Sequence, residues 1–152
     1  MLRNAMMGVL FAAATLSTTA VAQQGKFGSA AEARAMLERA VAALKANETQ
    51  AVGSFNRDDG GFRDRDLYPF CFMMNDGKVV AHVSPDQLGL DVRTIKDAAG
   101  RAFGLDLFSA AKQDQIAEVG YMWPRPGSKA PEQKVSYVTR IGNVGCGVGY
   151  YQ

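Results

Sequence analysis

The stretch that decides the fold is the last third of the chain: Glu118-Val-Gly-Tyr-Met-Trp-Pro124, then Lys134-Val-Ser-Tyr-Val-Thr-Arg-Ile141, then Gly145-Cys-Gly-Val-Gly-Tyr-Tyr151. Each run favours Val, Tyr, Ile or Thr, side chains that fit a pleated, half-buried surface. The breaks between the runs hold Pro124, Pro126, Gly127, Pro131 and the pair Gly142-Asn143, which turn a chain rather than extend it. This alternation predicts three antiparallel strands closing the domain. Nothing follows the third run, so neither a membrane anchor nor a signalling module is expected on that side.

Working back from the strands, Ser29 and Glu32 make the S-x-x-E pattern of a capping box. Leu37, Val41, Leu44, Ala51 and Phe55 then recur at spacings of three, four or seven, which is one apolar stripe on a long helix. The helix is expected to end near Arg57, where Asp58-Asp59-Gly60-Gly61 supplies turn residues. A strand over 67–74 turns at Asn75-Asp76-Gly77 into a second over 78–83, a hairpin ended by Ser84-Pro85-Asp86. Residues 87–115 are interrupted by Gly89, Gly100 and Gly104. They predict loops and one short helix, from Phe103 or Gly104 to Lys112, with Leu107, Phe108 and Ala111 inward. The sum is an α+β fold: a five-stranded antiparallel sheet crossed by the first helix, with short helices and loops between strands two and three.

Residues 1–22 read as an export signal rather than as structure. Arg3 gives the positive start, residues 6–14 an apolar core, and Ala20-Val21-Ala22 the small-x-small pattern before a cut. The apolar stretch falls short of the roughly 20 residues a bilayer span requires. The expected product is a single domain over 23–152 with no membrane span, placed in the periplasm or outside the cell. Setting aside Arg3 leaves 16 of the 17 basic residues against 15 acidic ones. So even a balance, with no dense basic patch, gives no reason to expect a nucleic-acid partner.

The order of elements, together with Phe70-Cys-Phe-Met-Met-Asn-Asp-Gly-Lys-Val-Val-Ala-His82, Gly120-Tyr-Met-Trp-Pro124, Pro131-Glu-Gln-Lys-Val-Ser-Tyr-Val138 and Gly147-Val-Gly-Tyr150, resembles a single Cache domain. That family is the PAS-like extracytoplasmic sensor module of bacteria, and the resemblance covers essentially all of 23–152. It implies a domain that binds a small molecule, often a short organic acid or amine, as the outer part of a chemoreceptor or sensor kinase. With no cytoplasmic part in view, the implied role is to pass information to a membrane receptor or sensor kinase. The alternative from another class is a structural or protein-interaction module whose pocket is not in use.

The chain has two cysteines, and in an exported domain two cysteines more often pair than not. Cys71 lies in the first strand and Cys146 in the last, which the PAS-like sheet order makes neighbours, so the resemblance implies a Cys71–Cys146 disulfide. Given that bridge, strand alternation places Pro69, Cys71 and Met73 with Val144, Cys146, Val148 and Tyr150 on one face. Tyr68, Phe70, Phe72 and Met74 share the other with Gly145, Gly147 and Gly149. Those glycines lie beneath rings or the long helix, or leave room for a ligand; the sequence leaves both open.

Five residues are candidates for ligand binding: Tyr121, Trp123, Lys134, Tyr137 and His82. Tyr121 and Trp123 share a strand face beside a proline-rich loop, and serve either as core or as pocket wall. Lys134 either reaches into water or meets a pocket anion, and the resemblance favours the pocket, because the corresponding strand of Cache domains lends polar groups to it. Tyr137 points away from Lys134 in a regular strand and needs a bulge to join it. His82 is a structural imidazole or a pocket hydrogen-bonding group. The expected ligand is a small carboxylate.

Other clusters carry less. Asp58, Asp59, Asp64 and Asp66, interleaved with Arg57, Arg63 and Arg65, miss the EF-hand spacing and read as a solvated charged loop. No zinc set, phosphate loop or nucleophile motif is present, so neither a metal, a cofactor nor an enzyme is expected. Met73 and Met74 are adaptable core or pocket lining.

Overall fold

The computed structural model describes residues 25–152; the proposed export signal and its cleavage site lie outside them. Ala30–Ala46 form the first helix, α1, opened as its sequence predicts. The Ser29 hydroxyl accepts from the Glu32 N–H, and the Glu32 carboxylate accepts from the Ser29 N–H at 2.8 Å. The helix expected to run unbroken to Arg57 is instead two, because a second, α2 at Glu48–Arg57, begins across a break at Asn47. Asn47 is extended, with φ −162°. Its N–H closes α1 on the Ala43 carbonyl, and its side-chain oxygen accepts from the Gln50 N–H at 3.0 Å to open α2. A short polar side chain that competes for backbone groups favours such a cap over a helix interior. The apolar stripe survives the break: Leu37, Leu44, Ala51 and Phe55 are buried and Val41 packs against them.

The strands are β1 (Pro69–Met73), β2 (Val79–Ala81), β3 (Ala117–Pro124), β4 (Pro131–Ile141) and β5 (Val144–Tyr151). They form one antiparallel sheet in the order β2-β1-β5-β4-β3, so the last strand is central. A third helix, α3 at Phe103–Ala110, and two single 3-10 turns fill the segment between β2 and β3. The first two strands are shorter than predicted. Leu67 is drawn out of β1 by reciprocal backbone hydrogen bonds with Asp64. Beyond β2, Val79 donates to the Leu90 carbonyl and accepts from the Gly89 N–H, so the following loop covers that edge of the sheet.

Cys71 stands opposite Cys146 in the β1–β5 register, and the two are joined as a fully buried disulfide. On their face α1 lays Ala33, Met36, Leu37, Ala40 and Leu44 against Cys71, Val144, Cys146 and Val148, which makes the main core. The opposite face is aromatic and carries a second core built by Phe70, Phe72, Val119, Tyr121 and Val138 with Phe103 and Leu107 of α3. The glycines of β5 belong to this second face: Gly145 lies under Phe72, Gly147 under Phe70 and Gly149 under Lys134 and Ser136. Rings and one lysine stem, rather than the long helix, fill the space that glycine leaves.

Asp66 departs from the expected solvated loop. It is 5% exposed, accepts from the Gly28 N–H at 2.7 Å, and pairs with Arg125. Arg65 pairs with Glu32 and Asp64 and donates to the carbonyls of Gly25 and Phe27, which fastens the start of α1 to this loop.

Candidate ligand pocket

Between the aromatic face of the sheet and the β2–β3 segment lies a cavity of about 30 Å³, walled by Tyr68, Phe70, His82, Phe103, Tyr121 and Trp123 among others. A site needs roughly 10–15 Å³ of such volume to hold one water, so this one admits two or three groups of that size. A wider groove of about 400 Å³ adjoins it, sharing Tyr68, Gln87 and Trp123 and bordered by the proline-rich loop after β3. The walls are ordered by ring contacts. Phe103 stacks on Tyr121 at 4.1 Å between centroids and meets Trp123 edge-on at 5.3 Å, while Tyr68 meets His82 edge-on at 5.3 Å.

Each polar group at the cavity is set by the sheet beneath it. Tyr121 of β3 stands opposite Lys134 of β4, which stands opposite Tyr151 of β5. The Tyr121 and Ser136 hydroxyls bond at 2.8 Å. Lys134 is 1% exposed and does not itself line the cavity. Its ammonium lies behind the wall, donating to the Tyr68 hydroxyl at 2.9 Å and sitting 4.3 Å from the Tyr68 ring centroid and 5.0 Å from that of Tyr151. The Tyr68 oxygen accepts from the lysine and keeps its own O–H to donate, with the Tyr151 hydroxyl as its present neighbour and a ligand oxygen as the alternative acceptor.

The electrostatics follow from burial. No carboxylate among the described residues lies within salt-bridge distance of Lys134, and desolvation lowers its ammonium to about 7, with the charge of Asp66 pulling partly the other way. Asp66 itself is committed to Arg125, whose guanidinium also lies 4.5 Å from the Tyr151 ring and pairs with Glu132 at 2.9 Å. Burial, then the Lys134 charge, brings His82 down to about 4. The imidazole is therefore neutral near pH 7. Its Nδ1 accepts from the Ser84 N–H at 2.9 Å, which leaves Nε2–H as the ring's donor. Asn56 of α2 holds this corner, bonding the Val80 carbonyl at 2.8 Å and the His82 N–H at 3.2 Å. Burial pushes the hydroxyls of Tyr68, Tyr121 and Tyr151 well above the usual phenol range, so all three stay donors.

Of the five sequence candidates, Tyr121, Trp123 and His82 line the cavity and Lys134 reaches it through Tyr68. Tyr137 does not join them. The β4 register runs without a bulge, so Tyr137 faces α1, packed with Tyr150 and lying under Arg34. The sequence reading did not single out Tyr68 and Phe103, which line the cavity, or Ser136 and Tyr151, which back it by contacts with Tyr121 and Lys134. Tyr68 was visible in principle, because strand alternation already places it on the face of Phe70 and Phe72.

The model of the family described as Single Cache domain 2 matches residues 6–151. The chain belongs to this family. Its Cache fold is shared with a methyl-accepting chemotaxis protein of Vibrio parahaemolyticus at a TM-score of 0.65 and 22% identity, over 80% of this chain and 86% of that one. A periplasmic sensor domain of a chemotaxis protein gives 0.57 and 24%, covering 78% and 87%. A third structure, described as the structural basis for carboxylic acid recognition by a Cache chemosensory domain, gives 0.58 and 25%, covering 78% and 85%. In sequence, the methyl-accepting chemotaxis protein McpP of Pseudomonas putida is 30% identical over 108 residues. Those residues are 70% of this chain but 18% of that protein. Among the described residues of this Cache domain, no helix is long and apolar enough to cross a membrane.

Proposed function

We propose that this Cache domain is exported and binds a small carboxylate in the cavity bounded by Tyr68, Tyr121 and Trp123, without converting it, and reports occupancy to a membrane receptor or sensor kinase. One observation carries the reading: a buried ammonium with no carboxylate partner among the described residues, hydrogen-bonded to a tyrosine of the cavity wall. A small binding site wants apolar walls with a few converging polar groups. Here the rings of Phe103, Tyr121 and Trp123 supply the walls, and the Tyr68 hydroxyl, backed by Lys134, and His82 supply the polar groups. A carboxylate accepting from Tyr68 shares a hydrogen-bonded chain with the ammonium, and charge-assisted bonds of this kind are roughly twice as strong as neutral ones. The carboxylic acid recognition described for a Cache relative of 25% identity supports the same class. The cavity volume favours acids with short chains, the wider groove taking any longer tail.

A thermal-shift screen of the exported protein against acetate, propionate, pyruvate, amino acids and amines tests the reading. A ligand at a hundred times its dissociation constant stabilises by about 2.7 kcal/mol. Stabilisation by short carboxylates and not by amines is the expected result. No response to any small molecule would favour a domain that uses its surfaces to bind protein instead.

A further inference from the structure

The carboxylate reading leaves open what happens to the lysine when the cavity is empty. Lys134 lies on the sheet with its stem over Gly149 and its ammonium between the rings of Tyr68 and Tyr151. It is all but sealed from solvent, and its one hydrogen-bond acceptor among the described residues is a neutral hydroxyl. A charge so placed lacks both solvent and counter-ion, an arrangement that costs enough for such groups commonly to give up the proton instead. A carboxylate arriving at Tyr68 supplies the missing negative charge and makes the protonated form the favoured one.

We infer that this pocket takes up a proton together with its carboxylate, the proton residing on Lys134 Nζ, so that the domain responds to the acid and loses its response as the medium turns alkaline. The inference rests on the carboxylate reading above and specifies how that site is regulated. The balance is simple: carboxylate plus neutral amine plus one proton from solvent gives a carboxylate beside an ammonium.

The surrounding groups leave the lysine as the one that changes charge near neutrality. From the segment before β1 it faces Tyr68 and, further off, Asp66; from the end of β2, His82; from β3, Tyr121; from β5, Tyr151; and Arg125 lies beyond the Tyr151 ring. Asp66 and Glu132 share Arg125 as their counter-ion. The three tyrosines are pushed upward by burial and His82 is pushed down to about 4, so none of them titrates between pH 6 and 9. Lys134, at about 7 in the empty domain, does.

The test is isothermal titration of the full exported chain with propionate at pH 6, 7, 8 and 9, each in two buffers of different ionisation enthalpy. If only the protonated domain is competent, apparent affinity is multiplied by the protonated fraction. It should then fall about tenfold per pH unit above roughly pH 7. Close to one proton should be absorbed per propionate at pH 8, and almost none at pH 6. Propionate that binds with the same affinity at pH 6 and pH 9, with no proton uptake, would overturn the inference while leaving the carboxylate reading in place. No propionate binding at any pH would overturn both. Proton uptake that persists in Lys134→Met would move the proton to another group and reject the assignment.

Discussion

Gly149 is the floor on which Lys134 lies: a β-carbon added at position 149 would collide with Lys134 Cε and with Ser136 Oγ. The glycine is therefore what allows a lysine of β4 to run flat across β5 and reach the Tyr68 hydroxyl. Gly149→Ala should push the ammonium off Tyr68 and overfill a packed site, a change that typically costs about 1–3 kcal/mol. Urea unfolding together with propionate titration separates the two effects. Binding should fall even at temperatures where the variant stays folded, and unchanged affinity would mean that the lysine path is not needed.

The disulfide between Cys71 and Cys146 closes a separation of 75 residues and ties β1 to the central strand β5. On the chain-entropy account a loop of this size contributes about 4 kcal/mol. Reduction, or replacement of both cysteines by alanine, should lower the melting temperature by roughly 15 °C. Differential scanning calorimetry with and without reductant checks this, and an unchanged transition would show that the bridge adds nothing to stability.

Lys134 also gives the empty domain a pH signature. Its folded value, about 7, lies below the ordinary lysine value of 10.5 because burial disfavours the charge. Between those two pH values the unfolded chain binds more protons than the folded one, so stability rises with pH. Unfolding midpoints in urea should increase from pH 7 to pH 9 in the wild type. Lys134→Met should flatten that slope and be the more stable protein near pH 6. A wild-type midpoint that falls from pH 7 to pH 9 would show that the buried amine keeps its proton.

Export makes a separate prediction. Ala20 and Ala22 are the small residues just before the expected cut, so the recovered protein should begin at Gln23. Intact-mass measurement on periplasmic or secreted material decides it; protein that keeps Met1, or remains in the cytoplasm, would reject the localisation.

The fold was largely legible because its signals are local or periodic. The capping box at Ser29, the turn at Asn75-Asp76-Gly77 and the three closing runs each announce an element by short-range chemistry. Asn47 was the exception. Its break falls inside an apolar stripe that continues on both sides, and only its side-chain bond to Gln50 reveals it. The site was half legible. Strand alternation placed Tyr121 with Trp123 on one face of their strand and warned that Tyr137 needed a bulge to join Lys134, which the continuous register of β4 does not provide. Tyr68 and Tyr151 could not be matched to Lys134 from sequence, because the match depends on which strands are neighbours and on the space above Gly149. Nor could the burial of Asp66, which depends on Arg125 arriving from a loop 59 positions away.

The central claim is that a small carboxylate binds where Tyr68 and Lys134 meet, and the most direct measurement is calorimetric titration of propionate into the wild type and Lys134→Met at pH 6. The account predicts saturable binding to the wild type and none to the variant, with both proteins giving the same circular dichroism spectrum. Equal affinity in the two folded proteins would contradict it, leaving Lys134 a buried structural amine with no part in recognising the ligand.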